Sequence, residues 1–276
     1  VKTSLLAASM IQLAGPTGVG YGEEAIIKLQ GGLVYQILEL ETNLVKKATL
    51  KKVTVDIGGT PVAYYSGKDL ELNDKLFNLH ETTGRFCIDL SKFRYRTLEG
   101  IHVSGLKTSQ YDDITLKVEF GAKDAADPAD LTLKGKAYVS PNPQGAKQGG
   151  GRIMIPQAYE VTQYTPAAGD YDWSFPNGSP NLNVQHMIID ESEVSISKVI
   201  VKRGATTIRE MHRSDIDHGL QRYAGVTPQP GKLLLDFTQF GFGKGDSVET
   251  ANLNFTFTVD AKGALKTRIE GFKRVA

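Results

Sequence analysis

One cysteine, Cys87, stands among 276 residues. A lone thiol excludes an internal disulfide framework and a zinc site built from cysteines. Histidines number five, and no His-x-His pair occurs among them. A cupin-type metal enzyme needs closely spaced strand histidines plus a carboxylate. His212 and His218 are six apart and do not share a helical face. We therefore read the histidines as surface or loop residues and assign no metal ligand. Charge of one sign is also lacking. The 32 Lys and Arg are matched by 31 Asp and Glu, for a net charge of +1. That leaves no electrostatic reason for nucleic acid or an anionic membrane as the main partner. No run of 18 apolar residues exists, so no transmembrane helix is expected. The nearest approach is Leu5 to Ala14 behind Lys2, which has something of a secretory signal but is read as an N-terminal arm. Catalytic signatures are equally scarce. There is no Gly-x-Ser-x-Gly elbow, and Gly18-Val-Gly20-Tyr-Gly22 lacks the lysine and preceding strand of a phosphate loop.

What the chain does have is alternation. Ile114-Thr-Leu116-Lys-Val118-Glu-Phe120 puts apolar side chains on one face and polar ones on the other. Leu253 to Val259, Leu131 to Ala137 and Leu265 to Ile269 do the same. A period of two marks half-buried strands of antiparallel sheets. Turn signals fall between them at Gly31-Gly32, Gly58-Gly59, Asn177-Gly178 and Gly241-Phe242-Gly243. Strands do not alternate with long helices, which argues against a doubly wound α/β fold. Short helices are expected at Ser4–Leu13, Lys68–Asn78 and Ser214–Ala224, the last opened by a capping box of Ser214 and Asp217.

The most informative pattern is an internal repeat. Lys52 to Glu71 aligns without a gap on Lys198 to Asp217 at an offset of 146, with six of the twenty positions identical, Gly58/Gly204 and Asp69/Asp215 among them. Gly84 to Phe93 matches Gly231 to Phe240 at an offset of 147, and the strands at Ile114 and Leu253 continue the series at 139. Three windows in one order, with small changes of offset, indicate two tandem copies of one β domain. The Pro/Gly-rich stretch Ser140 to Gly151 reads as the linker. The expected fold is all-β: two tandem eight-stranded jelly rolls, a double jelly roll, with a short helix inserted in each and an N-terminal arm. The corresponding division is 1–22 for the arm, 23–143 for the first roll, 144–152 for the linker and 153–276 for the second roll.

Candidate sites are few. Asp124, Asp127 and Asp130 share one loop and are the one place where oxygen ligation of structural Ca²⁺ is conceivable, but EF-hand spacing and the closing Glu are absent, so the loop reads as solvated and acidic. Asp112-Asp113 has the same standing. Cys87 faces Leu234 in the repeat, which marks a packing position and no nucleophile. Asp89/Asp236 and Phe93/Phe240 recur in both copies and so serve the fold. Lys46-Lys47, Lys51-Lys52 and Arg94-Tyr-Arg96 read as solvated faces. Tyr159 to Phe175 holds the only tryptophan, Trp173, and is assigned to packing of the second copy's first strand. No catalytic residue and no cofactor are assigned.

In order, length and pattern the chain resembles the double jelly-roll major capsid proteins of tailless, membrane-containing icosahedral viruses, and within them the corticovirus-type coat protein of a marine lipid-containing bacteriophage. The resemblance rests on Ala25 to Leu40, the Gly58 hairpin and Gly67 to Asp74 in the first half, and on Val194 to Tyr223 and Phe255 to Phe272 in the second. It implies a non-enzymatic coat protein of the virion, made in the host cytoplasm. It further implies a homotrimer whose six similar rolls form a pseudo-hexagonal capsomer tiling an icosahedral shell around a lipid membrane. The implied partners are its own copies and neighbouring capsomers, minor vertex or membrane proteins, and the internal membrane beneath the arm, without direct contact to nucleic acid. The competing readings are a tandem jelly-roll carbohydrate-binding protein, with aromatic platforms, and a glycan-cleaving amidase, with paired carboxylates in a cleft.

Overall fold

The computed structural model describes residues 9–92, 100–101, 104–239 and 247–275. They form two compact units. The first holds the described residues up to Asp74, with Leu79–Pro156 and Val275; the second holds Lys75–Asn78 and Gln157–Arg274.

Strands of the first unit are β1 (Ser9–Gln12), β2 (Glu24–Leu29), β3 (Leu33–Thr42), β4 (Leu50–Ile57), β5 (Thr60–Tyr65), β6 (Arg85–Asp89), β7 (Leu106–Lys107), β8 (Ile114–Phe120) and β9 (Leu133–Pro141), with helix α1 (Gly67–Leu76) after β5. One sheet runs β1-β9-β3-β6, with β7 beside β6 on the same edge of β3; the other runs β5-β4-β8-β2. In the second unit the strands are β10 (Met154–Thr165), β11 (Gly169–Ser174), β12 (Leu182–Asp190), β13 (Ile196–Arg203), β14 (Thr206–His212), β15 (Lys232–Asp236), β16 (Val248–Glu249), β17 (Leu253–Val259) and β18 (Gly263–Arg274), with α2 (Arg213–Gly219) after β14. Its sheets run β15-β12-β18-β10, with β16 also on β12, and β11-β17-β13-β14. Adding nine to every strand label turns the first topology into the second. Each unit is a jelly roll, and the all-β double jelly roll expected from the alternating strands is the fold observed.

The copies agree below the level of topology. β3 slips register against β9 between Tyr35 and Ile37, and β12 slips against β18 between Val184 and His186. Gln36 and Gln185 are the residues bulged out, and both are buried. Each turns its carbonyl toward the next element: Gln36 accepts the Leu90 N–H at 3.0 Å, and Gln185 the Phe237 N–H at 2.8 Å. Further bulges recur at Val55/Asp56 and Val201/Lys202, and at Leu50/Lys52 and Ile196/Lys198. A bulge breaks the ladder and re-aims the strand, so its recurrence marks a requirement of the roll. The identical Asp69 and Asp215 have one job as well. Each is the third residue of its helix and accepts the N–H of the residue before it, Ser66 at 2.7 Å and His212 at 3.3 Å. The cap of α2 is thus His212 with Asp215, in place of the expected Ser214 with Asp217.

One expected element is replaced. Of the helix anticipated at Ser4–Leu13, residues 4–8 lie outside the described residues, and Ser9–Gln12 is extended, pairing Ser9 with Val139 and Gln12 with Lys136. A ten-residue helix is marginal by itself. The edge of β9 offers the same backbone a ladder instead. Strand β1 therefore lies inside the stretch read as an arm.

Candidate functional site: the outer sheet faces

A two-layer sandwich buries one face of each sheet, and the other face is available for work. On the β3 sheet the inner positions are Leu38, Leu40, Phe86, Ile88 and Ala137. The outer row runs Asp89, Ile37, Tyr138, Met10 across four strands. The equivalent row of the second unit is Asp236, His186, Glu270. The two rows differ in cover. Asp89, Ile37 and Tyr138 are half-buried and Met10 is 54% exposed, whereas His186 is 0% exposed and Asp236 and Glu270 are buried. The cover includes Phe77, which belongs to the second unit and lies 5.2 Å from the His186 ring, centroid to centroid.

The buried row is a charge cluster. His186 Nδ1 lies 3.5 Å from Glu270 Oε2, and Nε2 lies 3.4 Å from Asp236 Oδ1. Arg268 Nε donates to Glu270 Oε1 at 3.2 Å, and Thr238 donates both its N–H and its hydroxyl to Asp236 Oδ1 at 2.7 Å. A carboxylate faces each ring nitrogen. Burial pushes the Asp236 carboxyl up, but the charge of His186 and the hydrogen bonds from His186 and Thr238 outweigh it and hold the pKa at about 2. In this cluster Arg268 and His186 face the two carboxylates. Its chemistry is that of a buried ion network, which fixes geometry. The reading of the histidines as surface or loop residues fails at His186. It sits mid-strand, and its charged partners come from β15 and β18, remote in sequence.

The other candidates are placed as follows. Asp127 is buried and accepts the N–H groups of Val45 and Lys46 at 2.8 and 2.9 Å and the Thr49 hydroxyl. Its oxygens thus tie a loop together. Asp124 accepts the Ala126 N–H, and Asp130 gives its carbonyl to Asn43. Asp112 pairs with Arg152 at 2.9 Å and Asp113 with Lys28 at 2.6 Å. Among the described residues no three His, Cys, Asp or Glu side chains converge as metal ligands. Cys87 is half-buried on the outer face opposite Glu39; burial, and then the charges of Asp89 and Glu39, push its thiol up to about 12. Lys47 pairs with Glu81, Lys51 with Glu119, and Lys52 lies over the Tyr64 ring, while Lys46 is exposed. Trp173 is enclosed in the second unit's core, edge-on to Phe175 at 4.8 Å and to Phe255 at 5.7 Å. Phe93, Arg94, Tyr95, Arg96, His102, Phe240 and the turn at Gly241 to Gly243 lie outside the described residues. A cavity of about 190 Å³ opens in the second unit beside Arg209, Met211, Leu220, Tyr223 and Gln239. Nothing in the sequence announces it, because α2 and β14 contribute mostly exposed positions.

Known proteins share this architecture. The family model for the viral coat protein P2 N-terminal domain matches residues 10–140, and that for the P2 C-terminal domain matches residues 155–275. Among solved structures the chain is similar to the major capsid protein P2 of bacteriophage PM2, with a TM-score of 0.83 at 17% identity over 97% of this chain and 98% of that one. The structure of Sulfolobus turreted icosahedral virus follows at a TM-score of 0.67 and 10% identity, covering 98% and 91%. The PBCV-1 virus capsid stands at 0.64 and 13%, covering 96% and 93%. At such identities the structural likeness establishes the fold. No curated protein matches the chain.

Proposed function

The chain belongs to the viral coat protein P2 family, each half matching its own domain of that family, and from that premise we propose how it builds a shell. It is a viral major capsid protein, and its place is the capsid of the virion. Three copies associate around a threefold axis. Each contributes two rolls of one topology, so six near-equivalent units stand in a ring and pack as a pseudo-hexagon. Such bricks tile the facets of an icosahedron over an internal lipid layer. The seam between the rolls falls in residues 144–152, between the two matched spans, and the first roll takes in β1. The N-terminal stretch faces the membrane or a neighbouring capsomer, and minor proteins occupy the vertices. The role is mechanical, and no residue is assigned to catalysis. Near-neutral charge accords with a shell held away from the genome by lipid.

The observation that supports this reading is the recurrence of the whole strand order, bulges included, in both units. Negative-stain images of the purified protein test it. Threefold averages with a six-lobed outline are expected. Two-lobed single particles at micromolar concentration overturn the assembly.

A further inference from the structure

The rolls repeat each other, but one place in the second is emptier than its counterpart in the first. At the offset of 146, Arg209 and Met211 on β14 stand where β5 has Ala63 and Tyr65. The ladders bear out the equivalence. Ala63 lies opposite Val55 and Tyr65 opposite Val53; Arg209 lies opposite Val201 and Met211 opposite Val199. All four valines are buried, and directly opposed residues share a face, so these positions turn to the inside of the sandwich. In the first roll they are filled, with Ala63 1% and Tyr65 7% exposed. In the second, Met211 is half-buried and Arg209 is exposed. The helix that follows gives up bulk as well. Gly219 on α2 matches Asn73 on α1 at the same offset, and a Cβ at Gly219 would meet nothing nearer than Gln239 Oε1 at 3.4 Å. Here the cavity of about 190 Å³ opens, its apolar wall made by Met211, Ile216, Leu220, Leu235 and Phe237.

The charges on its lining are unevenly engaged. Asp215 accepts the His212 N–H at 3.3 Å, and Asp236 accepts the N–H and the hydroxyl of Thr238 at 2.7 Å. Glu210, next to Arg209 in sequence, pairs with Lys198 at 3.2 Å. Among the described residues Arg209 has no ion-pair partner. An unfilled space forfeits packing contacts, and the first roll shows that the architecture does not require one. We propose that the second roll binds a small organic carboxylate with an aromatic or branched apolar body. The body fills the cavity, and the carboxylate lies on the Arg209 guanidinium at its mouth. A dry cavity of about 150 Å³ already admits a benzene ring, so the space suits such a body. A guanidinium receives a carboxylate through two parallel N–H···O bonds, which sets the ligand's direction as well as its charge. At the equivalent positions the first roll offers neither the space nor the cation, so the site belongs to the second roll alone.

Saturation-transfer NMR on the purified full chain tests the proposal, with benzoate as the probe and benzyl alcohol as its uncharged counterpart. Benzoate should bind saturably, about tenfold more tightly than benzyl alcohol. Arg209→Gln should bring benzoate down to the level of the alcohol and leave the alcohol itself within about twofold. Met211→Tyr combined with Gly219→Asn gives the second roll the residues that the first carries, and should abolish binding of both probes. If that filled variant fails to fold, the exposed Arg209→Gln still decides. Absence of saturable benzoate binding to the wild type overturns the site. Undiminished binding to a folded Met211→Tyr, Gly219→Asn variant puts the probe elsewhere and overturns it too. Benzoate binding that is unmoved by Arg209→Gln overturns the assignment of a carboxylate ligand. None of these results touches the capsomer, which stands or falls on the images described above.

Discussion

Asp236 shows how a single side chain holds part of the second roll. Its carboxyl titrates at about 2 in the folded chain, below the ordinary 3.8. As the pH falls, the unfolded chain takes up the proton first. The stabilising contribution is therefore complete above about pH 4 and is lost as the pH drops through about 2. Asp236→Asn removes it and leaves His186 and Arg268 facing Glu270 alone. We expect a loss of about 2–4 kcal/mol at pH 7 in urea unfolding, and an acid limb shallower than that of the wild type. Equal unfolding midpoints for the two proteins at pH 7 would contradict the role given to the cluster. This cluster was hidden in the sequence. Val184 to Ile189 reads as an apolar strand with two polar insertions, and nothing local says that Glu270 and Asp236 flank the histidine. Cys87, whose repeat partner is Leu234, lies half-buried on the outer face of its sheet opposite Glu39.

Elements were legible where one face of a strand meets the core and the other meets solvent. Ile114–Phe120 and Leu253–Val259 coincide with β8 and β17 for that reason. Bulges were not, since a residue squeezed out of register carries no compositional mark; Gln36 and Gln185 look like ordinary polar residues of the alternation. The N-terminal stretch was misread because a short apolar run satisfies both periods, and only the free edge of β9 decides between them. The shared turn glycines permit a comparison within one molecule. Gly84 and Gly231 both have positive φ, at 75° and 69°. A Cβ at Gly84 would lie 2.3 Å from the Thr42 carbonyl oxygen, while at Gly231 nothing stands within 4 Å. Gly231→Ala should cost about 1 kcal/mol, the backbone penalty alone. Gly84→Ala adds a clash with main chain and should cost several-fold more. Thermal melts of the pair decide it, and equal shifts would contradict the geometry. At the helix caps, Asp69→Ala should cost about 1 kcal/mol by loss of the two bonds its carboxylate accepts from Ser66, from the N–H at 2.7 Å and from the hydroxyl at 2.8 Å, measured as a drop in melting temperature.

At the scale of the whole molecule, duplication explains why so modest a sequence signal carried so much. Six identities in twenty are weak alone, but their order constrained the topology, and the topology is what the two rolls share. The surfaces were beyond reach of that reasoning. How far an outer row is covered depends on where a helix end comes to rest, as Phe77 does beside His186. The proposed shell requires a doubled chain to supply six near-equivalent positions from three copies. Light scattering on the purified protein across a concentration series measures this most directly. A single species at three times the 30.0 kDa chain mass is predicted; a species of 30.0 kDa that persists at the highest concentration would contradict it.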